Sequence, residues 1–118
     1  MASILTVEDS SFQRKIIIKI LEKAGHETLA AENGQRGLEV LATHTPDCIL
    51  CDLLMPEMDG FQFLEALKEK NIQIPVIILT SDIQDTVKQR CLDLGAKSFL
   101  NKPAQEGQVL EALNSILS

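Results

Sequence analysis

Apolar and polar positions alternate along this chain in two recurring patterns. Short, mostly apolar runs read as strands: Ser3 to Val7, Glu27 to Ala31, Cys48 to Cys51, Val76 to Leu79 and Lys97 to Asn101. Cys48 to Cys51 and Val76 to Leu79 are apolar at every position, as expected of strands covered on both faces of a parallel sheet. Longer segments between the runs follow a helical period: about Ser11 to Ala24, Gln35 to Thr43, Gly60 to Lys70, Gln84 to Leu94 and Gln105 to Leu117. Five strands alternating strictly with five helices through short loops predict an α/β fold. It is a doubly wound, five-stranded parallel sheet with helices on both faces, formed by residues 1–118 as one domain. Spacing leaves the strand order open.

The helix ends carry their own signals. Ser10-Ser11 and Asp59 are placed to cap the first and third helices, while Gly25, Asn71 and Gly95 stop the first, third and fourth. The first helix is expected to bury Phe12, Ile16, Ile17, Ile20, Leu21 and Ala24, leaving Lys15, Lys19 and Lys23 on a solvated face. Leu38, Leu41 and Ala42 face inward in the second helix, and Phe61, Leu64 and Leu67 in the third. The fourth has only a thin stripe of Val87, Cys91 and Leu94; the last buries Val109, Leu110, Leu113, Ile116 and Leu117.

Composition narrows the function classes. A formal charge of −6, from 17 acidic and 11 basic residues among 118, argues against direct nucleic-acid binding, which needs a basic footprint. No apolar run approaches the length of a membrane span, and Glu8-Asp9 interrupts the only apolar segment near the start, so a cytoplasmic protein is expected. Cys48 and Cys51 form a C-x-x-C, but residues i and i+3 of a strand point to opposite faces, so both thiols are expected to pack in the core, as is Cys91. His26 and His44 lie near loops and are expected at the surface.

The candidate chemistry lies where the strands stop. In a parallel sheet all carboxyl ends share one edge, and ligands of open α/β sheets bind there. The first strand runs into Glu8 and Asp9, the third into Asp52, the fourth into Thr80 and the fifth into Lys102. Three clustered carboxylates repel one another and call for a cation; an all-oxygen set suits Mg²⁺. Such an ion and Lys102 would offset the charge of a phosphoryl group, and a carboxylate can itself be the nucleophile. The chemistry indicated is metal-assisted phosphoryl transfer onto a carboxylate.

With VED (Val7-Glu8-Asp9), DLLMPEMDG (Asp52 to Gly60), LTSD (Leu79 to Asp82) and KP (Lys102-Pro103) in that order, the chain resembles the receiver domains of two-component response regulators, especially the single-domain chemotaxis type. The resemblance covers nearly the whole length. It implies the flavodoxin-like strand order 2-1-3-4-5 and makes Asp52 the phosphoacceptor. It further implies Mg²⁺ bound by Asp9, Asp52 and the backbone carbonyl of Leu54, with Glu8 acting through metal-bound water. Thr80 and Lys102 would contact the phosphoryl oxygens, the Lys102-Pro103 bond would be cis, and Phe99 would be the aromatic switch, in place of the tyrosine of chemotaxis regulators. Leu54 and Asp82 flank the site where the family tunes dephosphorylation. The implied donor is a phosphohistidine on a sensor histidine kinase or a histidine phosphotransfer protein. Phosphotransfer partners of the family use the first helix, so kinase docking is the alternative to a merely solvated face for its lysine stripe. A downstream protein would read the face of the fourth helix, fifth strand and fifth helix through Ile83, Val87, Arg90, Lys97 and Phe99, with the chain a monomer or a phosphorylation-dependent homodimer. Catalytic activity would be limited to self-phosphorylation and slow self-dephosphorylation. A receiver excised from a multidomain regulator, or a phosphate-independent interaction scaffold, would present the same residues.

Overall fold

The computed structural model describes residues 2–82 and 84–118. Its elements alternate as expected: β1 (Ser3–Val7), α1 (Ser11–Lys23), β2 (Glu27–Ala31), α2 (Gly34–Leu41), β3 (Cys48–Asp52), α3 (Gly60–Glu69), β4 (Val76–Thr80), α4 (Asp85–Asp93), β5 (Ser98–Asn101) and α5 (Glu106–Leu117). All strand pairs are parallel, in the order β2-β1-β3-β4-β5. β1 therefore pairs with both β2 and β3, in register Leu5↔Leu29 and Leu5↔Ile49. The chain leaves β1 for one edge and returns to β1's other side, so the reversal point lies between the ends of β1 and β3.

The two-residue period of the strands sorts the core into two layers. Ile4, Cys48, Leu50, Ile77 and Leu79 meet Ile17 and Leu21 of α1 and Val109 and Leu113 of α5. Leu5, Val7, Ile49, Cys51 and Ile78 meet Phe63, Leu64 and Leu67 of α3 and Cys91 of α4. Cys48 and Cys51 thus lie on opposite sides of the sheet, and burial pushes the Cys48 thiol up to about 12 and the Cys51 thiol well above its ordinary range. These thiols are packing groups. Every residue of β3 and β4 is buried, including Asp52 and Thr80 at their ends.

Several expected core residues lie elsewhere. In α1 only Ile17 and Leu21 are buried, whereas Phe12 is 72% and Ile16 39% exposed and Ala24 is exposed. At 100° per residue, Ile16 lies a quarter-turn from Ile17, and a helix flat on a sheet touches it along a strip narrower than the apolar arc. In α3 the buried aromatic is Phe63; Phe61 is half-buried beneath the Arg90 guanidinium, 3.9 Å from its ring centroid. Arg90, expected to face a partner, is exposed and also joins α4 to α3. Ala42 lies past the end of α2 and is exposed, while Gly34 and Gly37 turn inward, where a Cβ on Gly37 would sit 3.1 Å from both Phe63 and Val7. His26 is half-buried, its Nδ1 accepting the Ala2 N–H at 3.1 Å. Ile83 falls outside the described residues.

Asp59 and Gln62 form a full capping box on α3, and Gly25 and Gly95 follow α1 and α4 with φ of 86° and 106°, a region an L side chain rarely adopts. No helix among the described residues is long and apolar enough to cross a membrane.

Candidate functional site

The site is assembled from the carboxyl ends of β1, β3, β4 and β5. Each strand stops where its apolar run meets a polar residue, and parallel pairing brings those stops to one edge. Glu8 continues the line of β1, its N–H donating to the Ala31 carbonyl at 3.0 Å, and its side chain is 1% exposed. Asp9 is exposed. Asp52 ends β3, 4% exposed. Carboxylate oxygens of Glu8, Asp9 and Asp52 all lie within 4.8 Å of one another. This all-oxygen cluster, two members buried and one open to solvent, fits a hard divalent cation that keeps part of its water.

Lys102 closes the site from the other side. Its ammonium lies 2.9 Å from Glu8 Oε1, 3.0 Å from Asp52 Oδ2 and 2.7 Å from Gln13 Oε1, so each of its three protons has an acceptor. Burial works against this charge, but the bonds to Glu8 and Asp52 outweigh it and raise the Lys102 pKa above its ordinary value. The Lys102-Pro103 peptide is cis, as the resemblance implied. The Lys102 N–H donates to the Thr80 carbonyl at 2.9 Å, tying the ends of β4 and β5 together. Thr80 is 2% exposed, and its hydroxyl oxygen accepts the Asp82 N–H at 3.0 Å while keeping its own proton to donate. The Leu54 N–H makes a long 3.4 Å contact with Asp52 Oδ1, and the Leu54 side chain is 67% exposed. Phe99 lies one strand away, half-buried, with Lys88 Nζ 4.9 Å from its ring centroid. Lys15 and Lys19 are exposed on α1, and Lys23 reaches Glu106 of α5 at 3.5 Å.

Three contacts were not expected from the sequence. Arg14 Nη1 donates to the Glu8 carbonyl at 2.7 Å, the Ser10 N–H donates to Glu8 Oε2 at 3.1 Å, and Gln13 reaches Lys102. Burial pushes the Glu8 carboxyl up from 4.5 to about 7, against the downward pull of Lys102 and the Ser10 N–H, with the Asp52 charge adding to the rise. A carboxyl raised in the folded state takes up a proton on folding, so its contribution is present below pH 4.5 and lost as pH climbs through about 7. Metal-free stability should therefore fall between those limits, by on the order of 3 kcal/mol. Cation affinity should rise over the same window. Urea unfolding in chelator from pH 5 to 8.5 tests this, and Glu8→Gln should flatten the slope.

An acidic, cation-compatible crevice at the reversal point of a doubly wound sheet, closed by a lysine and a buried threonine, defines the class of domain. The chain belongs to the response regulator receiver domain family, whose profile matches residues 4–114. It is a receiver of the CheY type, 40% identical over 116 residues to chemotaxis protein CheY of Bacillus subtilis, covering 98% of this chain and 97% of that protein. It is also 46% identical over 105 residues to a protein-glutamate methylesterase/protein-glutamine glutaminase of Treponema pallidum, covering 86% of this chain but 26% of that protein. Among solved structures, the receiver domain of a sensor histidine kinase of Pseudomonas aeruginosa superposes with a TM-score of 0.88 at 25% identity, over 99% of this chain and 98% of that one. That structure has a magnesium ion coordinated in its active-site cleft.

Proposed function

We propose that this chain, as a single receiver unit, is a phosphorylation-controlled switch in which Asp52 accepts a phosphoryl group from a phosphohistidine of a sensor kinase or phosphotransfer protein. The observation that carries this reading is the convergence of Glu8, Asp9 and Asp52 within 4.8 Å while Lys102 Nζ sits 3.0 Å from Asp52 Oδ2. An Asp52 oxygen attacks phosphorus, the phosphorus–nitrogen bond breaks, and its electron pair returns to the imidazole. Mg²⁺, held by Asp9, Asp52 and the Leu54 carbonyl with Glu8 behind it, would supply charge neutralisation when bound. Lys102 Nζ lies beside Asp52 Oδ2, where the phosphoryl oxygens would gain charge, and would exchange one of its three present bonds for a phosphoryl oxygen. The Thr80 hydroxyl, with a proton still to donate, would turn toward a phosphoryl oxygen.

The signal would pass from Thr80 to Phe99. These residues lie on adjacent strands whose ends are joined by the Lys102 N–H to the Thr80 carbonyl. Phe99 sits in a shallow groove with Lys88, Lys97, Gln108, Glu111 and Ile116, on the α4-β5-α5 face proposed to meet a downstream protein. Intact mass after brief acetyl phosphate treatment tests the reading. One phosphoryl group per chain is expected with Mg²⁺ and none in chelator. Where no gain is found, beryllofluoride binding followed by NMR separates a short-lived phosphoryl from an inert site; failure of both would leave a phosphate-independent scaffold.

A further inference from the structure

Gln13 occupies a position whose ordinary role is visible elsewhere in the same molecule. Ser10 is the N-cap of α1 and Gln13 stands three residues on, the spacing of a capping box. The Gln13 N–H does donate to Ser10 Oγ, at 3.2 Å. On α3, Asp59 and Gln62 stand in the same relation and the box is complete, Gln62 Oε1 accepting the Asp59 N–H at 3.0 Å. On α1 the reciprocal half is missing, because the Ser10 N–H is already given to Glu8 Oε2. The Gln13 amide is thereby released from the cap, and its oxygen takes a proton of Lys102 at 2.7 Å, the shortest of the three bonds to that ammonium.

From this substitution of partners we infer that Gln13 is a positioning residue for Lys102, a role that rests on the phosphoryl-transfer reading above. Glu8 and Asp52, the other two acceptors, are also members of the carboxylate cluster and have a competing demand on their oxygens. Gln13 lies outside that cluster and is neutral, so a cation has no reason to displace its bond. It holds the ammonium at the edge of the site whatever the charge state of the carboxylates. Glu8 supports the arrangement twice, by binding Lys102 with one oxygen and by occupying the Ser10 N–H with the other.

Gln13→Met keeps length and helix preference and removes the acceptor. In the metal-free chain, the Lys102 ¹⁵Nζ–H signal should exchange with water about tenfold faster in the variant, as expected from losing one hydrogen bond to a charged group; an unchanged rate overturns the inference. A second arm measures beryllofluoride affinity with Mg²⁺ in a double-mutant cycle. Gln13→Met should weaken binding about tenfold when Lys102 is present and leave it unchanged in the Lys102→Met background. An equal loss in both backgrounds, or none in either, overturns the role. Absence of beryllofluoride binding to the unmodified chain would count against the phosphoryl reading, leaving the exchange rate to decide whether Gln13 positions Lys102.

Discussion

Replacing Asp52 with asparagine is expected to abolish phosphoryl gain from acetyl phosphate completely while the chain stays folded. The amide matches the carboxylate in shape, so β3 keeps its buried terminus, but it offers no charged oxygen to attack phosphorus. The cost to the fold is small for a specific reason. Lys102 loses its 3.0 Å ion pair with Asp52 Oδ2 but retains Glu8 and Gln13. The lost charge is also one of the causes that push the Glu8 carboxyl up, so its removal lets Glu8 ionise more readily. These effects oppose each other, and metal-free stability at pH 8 should change by no more than about 1 kcal/mol. The fall in stability with rising pH should become shallower than in the unmodified chain. Intact mass reads the first outcome and urea unfolding the second. Phosphoryl gain persisting in Asp52→Asn, and mapping to Asp9 or Thr80, would move the acceptor away from β3.

The proposed acceptor position was legible in the sequence because a strand end is a local signal. An apolar run that stops at a polar residue shows both the element and its edge, and four such stops, the first contributing two residues, place Glu8, Asp9, Asp52, Thr80 and Lys102 together. Asp59 was legible as a cap for the same reason, since a cap and its helix are adjacent in sequence. What the sequence did not reveal are choices between chemically equivalent partners. Gln13 and Lys102 are 89 residues apart, and nothing local to Ser10 shows that Glu8 takes the N–H a capping box would use. Phe61 and Phe63 are both apolar residues near the start of α3; which is buried depends on how α2 approaches, and that depends on Gly37 lying against Phe63. Arg90 reads as a surface cation until Phe61 lies beneath it. Helical periodicity gives an arc of apolar residues, and the packed neighbours decide how much of it is covered, leaving Phe12 and Ile16 in solvent beside the site.

The largest loss of stability is expected from Gly60→Ala, at the far end of the loop that carries Asp52 into α3. This loop folds back so tightly that the Gly60 N–H donates to the Leu53 carbonyl at 2.7 Å, while the Leu53 N–H reaches back to Leu79 of β4 at 3.1 Å. A Cβ on residue 60 would lie 2.9 Å from Leu53 Cα and 3.0 Å from the Asp52 carbonyl oxygen. Both are backbone atoms next to the Asp52 carboxylate, with no rotamer by which to move aside. The helix start and the strand end must separate instead, weakening the turn and displacing Asp52 from Glu8 and Asp9. Stability should fall by about 3 kcal/mol, the upper range for forced overpacking. Mg²⁺ affinity should fall about tenfold, as when groups supporting metal ligands are disturbed. Gly34→Ala is the control, because there a Cβ would also come within 2.9 Å of a neighbour, but the neighbour is the Met58 side chain. The Met58 Cγ and Sδ can swing aside and its Cβ, at 3.1 Å, need give by only a few tenths of an ångström, so that variant should lose less, no more than about 2 kcal/mol, and keep its Mg²⁺ affinity. Urea midpoints and Mg²⁺ titrations on the pair separate the two cases. Equal losses at both positions would show that the close backbone approach at Gly60 is not what sets the geometry of the acidic site.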